Sequence, residues 1–345
     1  MALITPFDDF PIHQTAETLA VPSSSDRNHY DRYWFNGFSE EKDFLFEIGV
    51  GFYPNRHIMD AHFSISTAGK QYSYHASTRM NPARYPINIG PISLEILEPM
   101  QKIRFSLKDP EKKLSCDLIF NAITEPHLEP KSLMIEGTRK ILETSRFTQF
   151  GKWDGSIETE SGNLDLTKEY GTRDKSWGVR PVGEPEIGAP GKLNAEPGVY
   201  WCWIPINFGD TFTHFGTFED HDGNSTQLSA DLVEISNNEV IKPLNNISHK
   251  VDWIKGTRWS SGAQISAQEG DKKIEINAKA CGPRFHCKGI GYQHPEWGHG
   301  FWKGEEAVGY EVWDLNEINP EDYSFFHIHQ IIKATMNDLE GYGTL

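Results

Sequence analysis

The chain has 345 residues, 37% of them hydrophobic and 12% aromatic, and a formal net charge of -16. That length exceeds one ordinary core and suits two domains of roughly 150 to 190 residues each. The acidic balance argues against nucleic acid and anionic membrane surfaces as partners, because both are bound through cationic neutralisation of phosphates.

In chain order, the N-terminal stretch Met1 to Asp9 carries an early acidic pair and no basic region ahead of an apolar run, unlike a secretory signal. No segment approaches the roughly 20 apolar residues of a membrane-spanning helix, so the expectation is a cytoplasmic protein without a membrane span. Period-two patterns then dominate. Lys102-Ile103-Arg104-Phe105-Ser106-Leu107 and Ile274-Glu275-Ile276-Asn277-Ala278 alternate as half-buried strands do. Phe44 to Phe52, Leu114 to Phe120, Tyr200 to Ile204 and Phe325 to Ile331 are aromatic and branched, as strands are. Helix is expected only at Phe38 to Asp43 and Ala334 to Leu339, too little for a helical layer. Short strands with frequent turns specify a sandwich or barrel. From Pro181 to Gly198, proline and glycine interrupt regular structure, and a boundary there divides the chain into 1–190 and 191–345.

Four cysteines, Cys116, Cys202, Cys281 and Cys287, form no C-x-x-C pair and are expected as free thiols. No G-x-S-x-G elbow, P-loop or strand-linked G-x-G-x-x-G is present, which removes support for hydrolase, nucleotide-driven and dinucleotide chemistry.

Two blocks carry the candidate chemistry. In the first, Phe150 to Gly155 with Trp153 precedes Gly171 to Arg180 with Asp174 and Trp177. Neighbouring Arg173 and Asp174 on a strand point to opposite faces. Held against tryptophan faces, Asp174 would lose hydration and become a proton donor near neutral pH, while an ion pair with Arg173 or Arg180 is the structural alternative. In the second block, Gly291 to Trp302, His294 and His299 stand with Glu296, Trp297 and Trp302 as a proton-transfer cluster or as histidines that tie down a glycine-rich loop. Their spacing is not that of H-E-x-x-H, and Pro295 interrupts any helix, so no metal is expected there. His327 and His329 share one strand face, a spacing that can chelate a metal, with no third ligand nearby in sequence. Upstream, Arg32 or Asn36 could hold the polar end of an amphipathic ligand while Trp34 and Phe35 cover its body, although core packing accounts for the rings equally.

The stretches DRYWFNG, QFGKWDGSI, GTRDKSWGVRP and HPEWGHGFWKGE resemble the lipocalin-like superfamily of AttH-like proteins and bacterial carotenoid 1,2-hydratases (hydroxyneurosporene synthase-like). The resemblance implies an all-β protein of two calycin-type antiparallel barrels packed together. It further implies cofactor-independent hydration, cyclisation or Diels-Alder chemistry on isoprenoids or polyketides.

The expected activity is therefore that of a cofactor-independent hydratase, dehydratase, isomerase or cyclase on an apolar isoprenoid, steroid or polyketide-like substrate. Asp174, His294 and His299 are its acid/base candidates; Arg32, Trp34, Asn36, Trp153, Trp177, Trp297 and Trp302 are its substrate contacts. A non-catalytic carrier of an apolar small molecule is the alternative, and a protein whose interior is filled by its own side chains is a third reading. Nothing in the pattern specifies an oligomeric state.

Overall fold

A computed structural model describes residues 4–12, 16–111, 113–183, 200–235 and 240–345. The expected boundary near residue 190 lies outside them. In the first half run β1 (His29–Ser39), β2 (Phe44–Tyr53), β3 (Ile58–Thr67), β4 (Lys70–Arg79), β5 (Ile87–Ile89) and β6 (Ile92–Glu98). They continue as β7 (Lys102–Lys108), β8 (Leu114–Ala122), β9 (His127–Leu128), β10 (Ser132–Glu136), β11 (Arg139–Thr159) and β12 (Gly162–Val179). In the second half lie β13 (Tyr200–Asn207), β14 (Thr211–Glu219), β15 (Ser225–Glu234), β16 (Val240–Pro243) and β17 (Asn245–Trp253). The chain ends in β18 (Ser260–Glu269), β19 (Lys272–His286), β20 (Glu306–Asp314), β21 (Ile328–Met336) and β22 (Leu339–Thr344).

These strands form two antiparallel sheets, each curled into a nearly closed barrel. The first runs β20-β4-β3-β2-β1-β12-β11-β8-β7-β6-β5, with β9 and β10 on β11; the second runs β16-β15-β14-β13-β22-β21-β19-β18-β17. One element crosses over: β20 comes from the second half of the chain but pairs with β4 in the first sheet. The loop of His294 and His299 is thereby laid against the first barrel.

The alternating patterns are strands as expected, and the two helical expectations are corrected. Phe38 and Ser39 end β1, followed by a turn in which Asp43 takes a left-handed φ of 52°. Ala334 to Met336 end β21, and Asn337, φ 52°, turns the chain back into β22. Asn and Asp tolerate this conformation and favour hairpin turns over helix.

Each barrel has its own core. Phe35, Phe46, Phe63, Phe105, Phe120 and Trp153 pack in the first, and Ile204, Phe215, Ile265, Ile276 and Ile332 in the second. A third apolar cluster joins the sheets, with Trp34, Phe38 and Leu45 against Trp203, Phe285, Cys287 and Ile331. Hydrogen bonds cross there too: Gln71 exchanges two 2.8 Å bonds with the backbone of His286, and Asn36 donates to the Thr344 hydroxyl at 3.1 Å. All four cysteines are free thiols.

Candidate active site between the two sheets

Strand register constructs the site. Across β1, β12 and β11 the paired rows are Tyr30-Gly178-Thr144, Arg32-Ser176-Arg146 and Trp34-Asp174-Thr148. Because side chains alternate faces, these even-numbered residues share the face that meets the second sheet, while Tyr33, Phe35, Phe147, Gln149, Arg173 and Lys175 point into the first barrel.

The inward charges are satisfied. Arg173 binds Asp9 at 2.8 Å and donates through Nε to Gln149 at 2.8 Å; Lys175 binds Asp31 at 2.6 Å. The alternative ion pair of Asp174 with Arg173 or Arg180 is absent among the described residues: Arg173 pairs with Asp9 on the opposite face, and Arg180 hydrogen-bonds His299.

On the interface face, Asp174 is half-buried and has no ion pair within 4 Å among the described residues. Burial pushes its carboxyl up to about 6, against the opposing pull of Arg146. Glu129 adds to the rise, while Arg32 and Arg180 reduce it. Arg32 donates to the Tyr292 hydroxyl (2.8 Å) and the Ile290 carbonyl (3.3 Å). Arg180 donates to His299 Nδ1 at 3.1 Å and lies 4.7 Å from the Tyr30 ring. Arg146 sits 3.9 Å from Glu129 and 5.4 Å from the Trp201 ring. Burial opposes ionisation of Glu129, but Arg146 and His214 outweigh it and hold the carboxyl below its usual range. Tyr292 stacks edge-on to His327 at 4.4 Å, and His327 Nε2 is buried without a hydrogen-bond partner. Asp174, Arg146, Arg180, Trp201, Tyr292 and His327 all retain some accessible surface. A carboxyl near pH 6, flanked by fixed donors and aromatic faces, can hold a proton at neutral pH and exchange it with a small molecule.

The other sequence candidates divide between this site and packing. His299 donates from Nε2 to the Ile290 carbonyl at 2.8 Å, which leaves Nδ1 to accept from Arg180. Burial holds it well below the usual histidine range, so it is a neutral positioning residue for Arg180. His294 lies elsewhere: Nδ1 accepts the amides of Glu296 (3.0 Å) and Trp297 (2.9 Å), and Nε2 donates to Glu311 at 2.7 Å. Trp34 faces the interface and donates to Glu47 at 3.1 Å. Asn36 is spent on Thr344 and on the Thr172 amide (2.8 Å). Trp153 fills the first barrel and donates to the Asn36 carbonyl at 2.7 Å. Trp177 packs near Phe147 on the inward side, ring centroids 6.4 Å apart. Trp297 stacks on His75 at 5.4 Å, and the exposed Trp302 lies 5.1 Å from the Arg79 guanidinium.

Sequence reasoning passed over Tyr30, Glu129, Arg146 and Trp201. The signal for Tyr30 and Arg146 is parity with Arg32 and Asp174 across a register that only strand pairing supplies; Glu129, just after β9, and Trp201, on β13 of the second sheet, have no such signal.

Among the described residues two groups have metal-compatible spacing, with ligand atoms within 4.8 Å of one another: Cys287, His327 and His329, and His75, His294 and Glu311. In the second, His294 Nδ1 is an acceptor, so Nε2 carries the proton and its lone pair is not free for a metal. In the first, Cys287 and His329 already adjoin Glu47, and burial pushes the thiol well above its ordinary value. The third ligand missing from the sequence around His327 and His329 is Cys287.

The fold is a double barrel of lipocalin-like form in which charged and aromatic side chains gather around Asp174 between the sheets. The chain belongs to a family of unknown function (DUF8625), whose model matches residues 4–345. No curated protein matches it. Among solved structures it is similar in fold to a Nitrosomonas europaea protein given the name AttH, at 11% identity and TM-score 0.55 over 92% of each chain. It is similar also to kievitone hydratase from Nectria haematococca, at 11% identity and TM-score 0.52 over 97% of each chain. CghA, solved with Sch210972, matches at 7% identity and TM-score 0.51 over 92% of this chain and 87% of that one.

Proposed function

We propose that the protein is a cofactor-independent enzyme of hydratase, dehydratase, isomerase or cyclase type, acting on an apolar isoprenoid, steroid or polyketide-like molecule between its two barrels. The observation that carries this reading is Asp174: a half-buried carboxyl without an ion-pair partner among the described residues, raised to about 6, on the face that it shares with Trp34, Arg32 and Arg146. Asp174 is the proton donor and acceptor; the aromatic rings provide the apolar wall. A carboxyl that titrates at about 6 populates both forms between pH 6 and 7: the acid can protonate an unsaturated carbon or carbonyl, and the carboxylate can take a proton back in the reverse direction. Similarity in fold to a hydratase supports the class of reaction and goes no further.

The test is incubation of purified protein with conjugated enones, prenylated phenols and linear polyenes, followed by mass spectrometry. Gain or loss of one water, or an isobaric product with a new retention time, is expected from the wild type and not from Asp174→Asn. Equal turnover by Asp174→Asn would remove Asp174 from the mechanism. A ligand recovered unaltered after prolonged incubation, with no turnover of any compound, would favour a carrier.

A further inference from the structure

The interface site carries more positive charge than its own carboxylates neutralise by contact. Arg146 has Glu129, at the long distance of 3.9 Å. Among the described residues, the side chains of Arg32 and Arg180 hydrogen-bond neutral groups: the Tyr292 hydroxyl and Ile290 carbonyl for one, the His299 imidazole for the other. The Nε atoms of both are buried without a partner. Asp60 is the next carboxylate towards Arg32, but its oxygens already accept from Tyr53 (3.1 Å) and the Gly300 amide (2.7 Å). Whatever the protonation of Asp174, Arg180 has no carboxylate within 4 Å among the described residues.

Unneutralised guanidinium groups in a site sheltered from water are costly unless an anion completes them. They also bear on mechanism. A carbocation generated beside three arginines would be repelled, whereas an oxyanion or enolate would be stabilised, and planar guanidinium donors suit a carboxylate-like pair of oxygens. We infer that the apolar ligand carries an acidic oxygen, as a carboxylate, enolate or phenolate, which Arg180 and Tyr292 hold beside Asp174. This rests on the reading of the interface as the ligand site and narrows its substrate class: an acidic head on an apolar skeleton, in place of a pure hydrocarbon. His299 is then a positioning residue that keeps Arg180 aimed at that head.

Paired probes that share a skeleton test the inference: retinoic acid against retinol, palmitic acid against hexadecanol, and naphthoic acid against naphthalenemethanol, with binding read by tryptophan fluorescence and calorimetry. The wild type should bind the acid of at least one pair about tenfold more tightly, as a charge-assisted hydrogen bond of about 1.5 kcal/mol predicts. Arg180→Gln should abolish that preference with little change in the alcohol, and Arg180→Lys should retain part of it; thermal melts establish that each variant is folded. Equal affinity for acid and alcohol, a preference that survives in folded Arg180→Gln, or binding of none of the pairs would overturn the inference. The proposed activity fails separately. Turnover retained by Asp174→Asn removes the acid/base role while the acid preference can persist, and loss of turnover in that variant with no acid preference removes only the inference.

Discussion

Arg173 and Asp174 are neighbours on one strand and have opposite surroundings. Arg173 turns into the first barrel, where Asp9 and Gln149 satisfy it and it is 1% exposed. Asp174 turns towards the second sheet, keeps accessible surface and has no ion-pair partner among the described residues. A buried charge whose partners are complete belongs to the architecture; one that is sheltered but incomplete is poised for a ligand. The same contrast separates Trp153, enclosed by core rings, from Trp201, which remains partly open beside Arg146.

The contrast can be broken most strongly from its inner side. Asp9→Ala leaves Arg173 buried without its anion and should cost about 3 to 5 kcal/mol in urea unfolding. A loss below about 1 kcal/mol would show that the inner pair is no more structural than the outer charges. Asp174→Asn should act in the other direction. The folded carboxyl titrates at about 6, and its unfolded counterpart at about 3.9. Between those values the folded state binds more protons, so stability falls as pH rises from about 4 to about 6 and stays lowered above. The Asn variant should therefore be about 1 to 3 kcal/mol more stable at pH 7, with the difference vanishing near pH 4. A carbon-13 NMR titration of the Asp174 carboxyl at its ordinary value would contradict the assignment.

Smaller effects are expected outside both regions. Glu311 accepts from His294; burial opposes its ionisation, and the two histidines His294 and His75 more than offset that. Glu311→Gln should cost about 1 to 2 kcal/mol and leave probe binding at the interface unchanged, since this cluster is separate from Asp174. Trp302, 42% exposed, should tolerate alanine within about 0.5 kcal/mol. A large loss of ligand binding in Trp302→Ala would extend the site out to that loop.

How much of this was legible in the chain depends on the range of the interaction. Alternation identified β7 and the centre of β19 because period two is a local property. It also placed Arg173 and Asp174 on opposite faces and gave the right direction for the Asp174 pKa, but the expected flanking rings Trp153 and Trp177 lie on the other face and burial between the sheets raises the carboxyl instead. Proximity in sequence was a poor guide to proximity in space. His294 and His299 are five positions apart, yet one reaches Glu311 on β20 and the other supports Arg180. Trp153 and Trp177 read as equivalent to Trp34, but parity sends them into the first barrel and Trp34 to the interface.

By itself, then, the sequence determined an all-β chain and its free thiols, each a matter of composition or of neighbours within a few residues. Only the tertiary structure decided that β20 returns to the first sheet and that Arg32, Arg146 and Arg180 gather with Tyr292 around Asp174. The physical reason is that a side chain's charge state and exposure are set by what packs across from it. For Asp174 those groups lie on β1, β11 and the far loop of the second half, joined by strand register and sheet packing that no local pattern encodes.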